Sequence, residues 1–113
     1  MHIARYLCVI LGLTSLLALG RPALAADEPT FSIEFKDGTV IPTRIEVPAK
    51  TRFKLELKNS GKTAAEFESN EMKKEKVLAP GTTSSLIIRT LDPGEYKFFD
   101  DFHQQAKGVL VAK

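Results

Sequence analysis

Cysteine and histidine are scarce in this 113-residue chain, which contains one cysteine and two histidines. Cys8 and His2 both lie in the first 25 residues, which are interpreted below as an export signal. The rest of the chain has no cysteine, so a disulfide framework and thiolate metal ligands are excluded there. Its only histidine is His103, and no serine has the surroundings of a nucleophile turn. Hydrolase chemistry therefore has little support.

Excess charge and repetitive sequence are absent as well. The chain has 16 basic and 14 acidic residues, and Arg5 and Arg21 are the two basic residues of the N-terminal segment. Subtracting these two leaves 14 basic against 14 acidic residues, so the remaining chain is neutral. A neutral domain is a poor partner for nucleic acid. No internal repeat, coiled-coil heptad, phosphate-binding glycine loop or low-complexity segment is present.

The N-terminal segment has the organisation of a signal peptide. A short positive start containing Arg5 precedes the apolar run 6–19, and Ala23-Leu24-Ala25 is a small-x-small cleavage signal. We predict export to the periplasm with cleavage after about Ala25. The apolar run is shorter than the roughly 20 residues that a membrane helix needs, so a retained anchor is the weaker alternative. Cys8 lies inside the run rather than at the cleavage point, which argues against a lipoprotein.

The remaining chain predicts an all-β domain over residues 31–113, preceded by a short flexible leader at 26–30. Apolar and polar residues alternate at the strand period, and Gly- or Pro-containing turns separate the segments. A polar connection at 70–75 is expected to hold a helical turn. Regular short strands with such turns predict a β-sandwich. The predicted strands are 31–35, 44–47, 52–57, 64–68, 84–89, 95–99 and 108–111.

Six short motifs, taken in order and with their spacing, resemble the cupredoxin pattern over nearly all of this domain. The resemblance implies a cupredoxin-like Greek-key β-sandwich that binds metal at one end. The motifs are Ile45-Glu46-Val47-Pro48-Ala49-Lys50, Asn59-Ser60-Gly61-Lys62, Glu66-Phe67-Glu68, Leu78-Ala79-Pro80-Gly81-Thr82, Pro93-Gly94-Glu95-Tyr96 and Lys107-Gly108-Val109-Leu110-Val111.

The metal ligands of the blue-copper members are mostly replaced in this chain. In those members a cysteine follows the last long strand, with a histidine a few residues on and a methionine beyond it. This chain has Asp100 and His103 at the first two positions and no methionine at the third, and Ala65 replaces the upstream histidine. Without a thiolate, an intense blue site is excluded and plastocyanin-like electron shuttling is in doubt. Carboxylate and imidazole suit iron, manganese or Cu(II) better than Cu(I).

Among cysteine-free variants of the fold, the chain resembles the cupredoxin-like periplasmic components of bacterial ferrous-iron uptake systems. The likeness lies in size, export signal and the Asp-x-x-His spacing of Asp100 and His103. The resemblance implies iron as the bound metal, with copper as a second one. It also implies two partners, an inner-membrane iron permease and a second periplasmic iron-binding protein. The implied role is to help oxidise Fe(II) for transfer as Fe(III).

Asp100 and His103 are the leading candidate ligands. A strand over 95–99 delivers both side chains onto one loop at a spacing of three, so that both can bend toward one ion. The alternative is a solvated loop in which Asp100 only orients His103. Asp101 is adjacent, and we expect it either to hold the imidazole tautomer or to bind the metal directly.

Four further residues are candidates, each with an ordinary alternative. Asp37 follows the first strand at the expected metal end, although Asp-Gly is also a common turn signal. Glu66 and Glu68 alternate with Phe67, which places both carboxylates on one face of a strand, where exposed glutamates are common. Met72 is the only methionine after residue 25, and it is either a soft axial ligand or a core gap-filler.

Two functions compete with iron oxidation and transfer. The first is a periplasmic copper-binding or copper-delivery protein without redox activity. The second is a metal-free interaction domain that docks a partner through the sandwich edge. The residues leave open whether iron oxidation would be catalytic or stoichiometric.

Overall fold

The alternating segments form nine β-strands in the computed structural model, which describes residues 28–113. No helix occurs in this range, and none is therefore long and apolar enough to cross a membrane. The predicted signal peptide, 1–25, and the start of the predicted leader lie outside the described residues. The strands are β1 (Thr30–Lys36), β2 (Thr39–Ile41), β3 (Arg44–Val47), β4 (Phe53–Asn59), β5 (Ala65–Ser69), β6 (Lys74–Leu78), β7 (Thr83–Ile88), β8 (Gly94–Asp100) and β9 (His103–Ala112).

The nine strands pack as two facing sheets. One sheet has the order β2-β1-β4-β7 and the other the order β3-β9-β8-β5-β6. The β1–β4 and β3–β9 pairs are parallel, and the remaining pairs are antiparallel. The all-β sandwich predicted from the alternation is therefore confirmed.

Aromatic side chains from both sheets fill the core. Phe35 of one sheet and Phe67 of the other meet edge to face with ring centroids 6.4 Å apart. Phe67 also stacks on Phe98 at 5.7 Å. Each of these rings is at most 1% exposed. Since residues 28–113 contain no cysteine and hence no disulfide, this packing carries the stability of the domain.

Three segments differ from the prediction. The expected helical turn at 70–75 is wrong, because residues 70–73 form the β5–β6 turn and β6 begins at Lys74. Strand β6 is an edge strand with exposed charged residues, so its sequence shows no apolar alternation. Strand β2 has only three residues, too few to show alternation. Strand β9 begins at His103 instead of residue 108, so a two-residue turn replaces the expected loop. Solvent-facing glutamines at the start of β9 give it no apolar alternation.

Strand directions decide which candidate residues lie at the same end of the sandwich. Strand β5 is antiparallel to β8, and β8 is antiparallel to β9, so the start of β5 lies beside Asp100 and His103. Thr63 and Asp37 are joined to this end by hydrogen bonds. We call it the His103 end. The β5–β6 turn, which contains Met72, lies at the opposite end, about 13 Å away along β5 at the usual rise per residue.

The core packing predicts a large difference between two phenylalanines. Phe67→Ala removes a fully buried ring between two others and should lower the free energy of unfolding by about 3–5 kcal/mol in urea denaturation. Phe102→Ala is the matched control, because Phe102 is 51% exposed. Similar losses in the two variants would contradict this account of the core.

Candidate metal centre

Asp100 is a buried carboxylate at the end of β8, only 1% exposed. It follows Phe98 and Phe99, and the alternation of β8 turns Phe98 and Asp100 inward. Its Oδ1 atom accepts hydrogen bonds from the backbone N–H groups of Glu66 at 2.9 Å and Phe102 at 3.0 Å. Its Oδ2 atom lies 2.8 Å from Nδ1 of His103. Both oxygens are therefore used within the protein.

His103 connects this buried carboxylate to the protein surface. Since Asp100 accepts hydrogen bonds, Nδ1 of His103 carries the proton that it donates to Oδ2. The other ring nitrogen, Nε2, lies 3.4 Å from Oγ1 of Thr63. The Thr63 hydroxyl donates to Oδ1 of Asp37 at 2.9 Å. These four residues form a continuous series of polar contacts, in which His103 donates to Asp100 and Thr63 donates to Asp37, and we call this series the Asp100–Asp37 chain.

Asp37 is held by the loop between β4 and β5. Its Oδ1 atom accepts the backbone N–H groups of Lys62 at 2.8 Å and Thr63 at 3.0 Å, in addition to the Thr63 hydroxyl. The Lys62 N–H, then the two Thr63 donors, lower the pKa of Asp37, with a smaller contribution from His103. Gly61 is required here, because a Cβ atom would lie 2.7 Å from both the Asp37 nitrogen and Oδ1.

A second group of carboxylates lies on the outer face of the five-stranded sheet. Single carboxylate oxygens of Glu66, Glu68 and Asp101 lie within 4.8 Å of one another, and each residue is half-buried. Within residues 28–113 this is the one group of three or more candidate metal-binding side chains this close together. The backbone helps to build it, since the N–H of Asp101 donates to the carbonyl oxygen of Glu66 at 2.8 Å. We call these three residues the outer cluster.

Like charges dominate the outer cluster. Burial raises the pKa of Glu66 most, and the negative charges of Asp101, Glu75 and Glu68 raise it further. Glu75 belongs to the same surface, because it lies opposite Glu68 in the β5–β6 pair. No salt bridge within residues 28–113 involves a member of the cluster. The cluster therefore has negative charge that a bound cation would neutralise.

The structure divides the predicted ligands between these two groups. Asp100 and His103 lie together as expected, and Asp37 reaches them through Thr63. Sequence reasoning missed Thr63, whose only signal is its place directly after the Asn59–Lys62 turn.

The other four candidates lie elsewhere. Glu66, Glu68 and Asp101 meet on the outer face and form no group with Asp100 or His103. Met72 is partly buried and packs against the core at the opposite end, which is the gap-filling alternative.

Comparison with known proteins identifies the family. The family described as Cupredoxin-like domain matches residues 8–112. The chain belongs to the cupredoxin-like family. An uncharacterized protein of Rickettsia prowazekii (strain Madrid E) is 38% identical over 80 residues. That match spans 70% of this chain and 64% of the relative, so the chain covers less than two thirds of that protein's length.

Solved structures show the same cupredoxin fold. Reduced auracyanin from Roseiflexus castenholzii aligns with a TM-score of 0.65 and 15% identity over 76% of this chain and 98% of its own. Auracyanin A, a blue copper protein from Chloroflexus aurantiacus, gives 0.63 and 12% over 74% and 98%. A purple cupredoxin from Nitrosopumilus maritimus gives 0.56 and 18% over 73% and 98%. The predicted cupredoxin-like fold is thereby confirmed.

One of these solved neighbours is a blue copper protein, so the donor atoms of this chain are compared with the ligands that such a site needs. Residues 28–113 contain no cysteine, and the residue at the family's cysteine position, Asp100, has both oxygens in protein hydrogen bonds. Ala65, at the upstream histidine position, has no donor atom. These residues do not fit a thiolate copper site. The remaining carboxylate and imidazole donors suit Cu(II) or iron.

The charge of the outer cluster predicts a pH-dependent stability. Because the folded state raises the pKa of Glu66, the resulting stability is fully present below about pH 4, near the unfolded pKa of glutamate, and is lost as the pH rises through the folded pKa. Glu66→Gln is neutral at every pH. We expect this variant to have a higher urea midpoint than wild type at pH 7, with the difference disappearing below about pH 4.

Glu56→Gln is the control for this comparison, since Glu56 is exposed on the other sheet. A Glu66→Gln variant that is no more stable than wild type at pH 7 would show that the carboxylates do not repel one another in the folded protein.

Proposed function

We propose that this protein is an exported iron-binding protein that takes part in ferrous-iron uptake. The observation that carries the proposal is the outer cluster, in which three carboxylate oxygens lie within 4.8 Å of one another and form no salt bridge with any of residues 28–113. Two of its three members follow the family's ligand positions directly in the sequence, since Glu66 follows Ala65 and Asp101 follows Asp100. The cluster thus offers oxygen donors beside the end at which this fold is expected to bind metal.

The carboxylate oxygens of the outer cluster favour iron as the bound metal. Carboxylate oxygens are hard ligands, and they attract a triply charged ion more strongly than a doubly charged one. The cluster would therefore stabilise Fe(III) relative to Fe(II) and lower the reduction potential of the bound ion. Each Fe(II) would give up one electron. Dioxygen would accept four electrons and four protons and form two water molecules.

The position of the cluster suits transfer of the ion. Glu66, Glu68 and Asp101 are half-buried on a sheet face instead of enclosed in the core, so an ion can enter and leave without unfolding. The proposed recipients are an inner-membrane iron permease and a second periplasmic iron-binding protein. This assignment places the protein in the periplasm, with residues 1–25 as its export signal, and it draws on the resemblance to iron-uptake components.

Copper binding without redox activity is the second candidate. It is favoured by membership of a family whose solved relatives include a blue copper protein. Carboxylate donors and the imidazole of His103 are compatible with Cu(II). The two functions differ in one measurable respect, because only the first predicts that the protein accelerates Fe(II) oxidation.

The iron proposal predicts loss of binding when the outer cluster is neutralised. Metal-free protein is titrated anaerobically with Fe(II), oxygen is then admitted, and formation of Fe(III) is timed against a protein-free sample. Glu66→Gln and Asp101→Asn should each weaken iron binding by at least about tenfold and slow the oxidation, because each removes a charged donor. Glu56→Gln, on the other sheet, should behave as wild type.

Two outcomes would contradict the proposal. Saturable iron binding that is unchanged in both cluster variants would exclude the outer cluster as the site. Tight Cu(II) binding without any acceleration of Fe(II) oxidation would assign the protein to copper instead.

A further inference from the structure

We infer that the Asp100–Asp37 chain is a metal-independent clamp that closes the His103 end of the sandwich, where the fold family implies a metal ion. On this account Asp100 stabilises the folded end and is not a metal ligand. The inference goes beyond the proposed function. It concerns the interior of the His103 end and does not depend on iron binding at the outer cluster.

The hydrogen bonds of Asp100 are satisfied entirely by protein groups. A buried carboxylate without donors is strongly destabilising, whereas Asp100 has three donors for its two oxygens. Two of them are backbone N–H groups, from Glu66 in β5 and from Phe102 in the β8–β9 turn. No buried side-chain nitrogen or oxygen in the described range lacks a hydrogen-bond partner. Among the described residues, the interior of this end therefore has no buried side-chain nitrogen or oxygen that lacks a partner and would need a metal ion to satisfy it.

The Asp100–Asp37 chain extends from one sheet of the fold to the other. Asp100 and His103 flank the β8–β9 turn, Thr63 precedes β5, and Asp37 lies between β1 and β2. The distances along the series are 2.8 Å, 3.4 Å and 2.9 Å. The Asp100–Asp37 chain thus joins the β8–β9 turn of one sheet, the β1–β2 turn of the other sheet and the β4–β5 loop that connects the two sheets. A metal ion bound at this end of the fold would cross-link connections in the same way.

A separate contact supports the same closure. The side-chain amide of Gln105 lies 3.4 Å from the carbonyl oxygen of Gly38, which binds the start of β9 to the β1–β2 turn. The approach is close, since a Cβ atom on Gly38 would lie 3.5 Å from Cδ2 of His103 and 2.6 Å from Nε2 of Gln105. His103 is therefore packed on one side, hydrogen-bonded at Nδ1 and in contact with Oγ1 of Thr63 at Nε2, with its side chain 25% exposed.

Stability of the metal-free protein tests the inference. Samples treated with chelator are melted as wild type, Asp100→Asn, His103→Gln and the double variant. Each single variant should lower the melting temperature by at least about 4 °C, as expected for a domain of this size losing about 1 kcal/mol. The double variant should lose less than the sum of the two single losses, because the two side chains act on one interaction.

Thr63 supplies a milder pair of variants in case the buried ones do not fold. Thr63→Val removes the hydroxyl with little change in shape, whereas Thr63→Ser keeps it. The clamp predicts a lower melting temperature for Thr63→Val than for Thr63→Ser in the absence of metal. Equal melting temperatures for this pair would overturn the inference.

A spectroscopic measurement on wild type separates a clamp from a ligand pair. Long-range proton–nitrogen NMR spectra of the metal-free protein should show a proton on Nδ1 of His103, and adding Zn(II), a diamagnetic ion that does not broaden signals, should leave the protonation of both ring nitrogens unchanged. Displacement of the Nδ1 proton by the metal would identify Asp100 and His103 as ligands, and single variants that match metal-free wild type in stability would overturn the clamp. Failure of iron to bind at Glu66 would contradict the proposed function alone.

Discussion

The buried carboxylate of Asp100 is the interaction on which the His103 end depends. It accepts hydrogen bonds from Glu66, Phe102 and His103, and so fixes the start of β5, the β8–β9 turn and the imidazole relative to one another. The backbone N–H of Glu66 donates to this inner carboxylate, and the alternation of β5, which buries Phe67, turns the Glu66 side chain to the outer face, where it meets Asp101. The internal hydrogen bonds and the outer cluster therefore lie on opposite faces of the same sheet, at the start of β5 and the end of β8.

The two carboxylate groups differ in how their charge is compensated. The oxygens of Asp100 and Asp37 accept hydrogen bonds from protein donors, and at Asp37 the Lys62 and Thr63 donors lower the pKa of the carboxyl. The outer cluster has the opposite character, because burial and neighbouring negative charges raise the pKa of Glu66. Carboxylates that repel one another and so lower the stability of the folded protein are characteristic of binding sites, where a bound ligand relieves the repulsion. This contrast is why we assign metal binding to Glu66, Glu68 and Asp101 and structural closure to the Asp100–Asp37 chain.

The sequence was sufficient to predict the sandwich, because the core strands alternate clearly, as in β1 and β4. The spacing of three correctly brought Asp100 and His103 together, and the period of a strand correctly placed Glu66 and Glu68 on one face. Spacing could not separate Asp100 from Asp101, since neighbouring strand-end residues face opposite sides and only the register of β8 decides which one is buried. Edge strand β6 and the start of β9 were missed because their residues face solvent on both sides. Thr63 was missed because its role arises from contacts distant in sequence.

The central claim is that a metal ion binds to the outer carboxylates while the interior of the His103 end remains closed by hydrogen bonds. The most direct measurement is a crystal structure of the protein soaked with iron, with anomalous scattering used to locate the ion. The account predicts an iron peak coordinated by the carboxylates of Glu66, Glu68 and Asp101, with the hydrogen bond between Asp100 and His103 intact. An iron peak bound by Asp100 and His103, with that hydrogen bond broken, would contradict it.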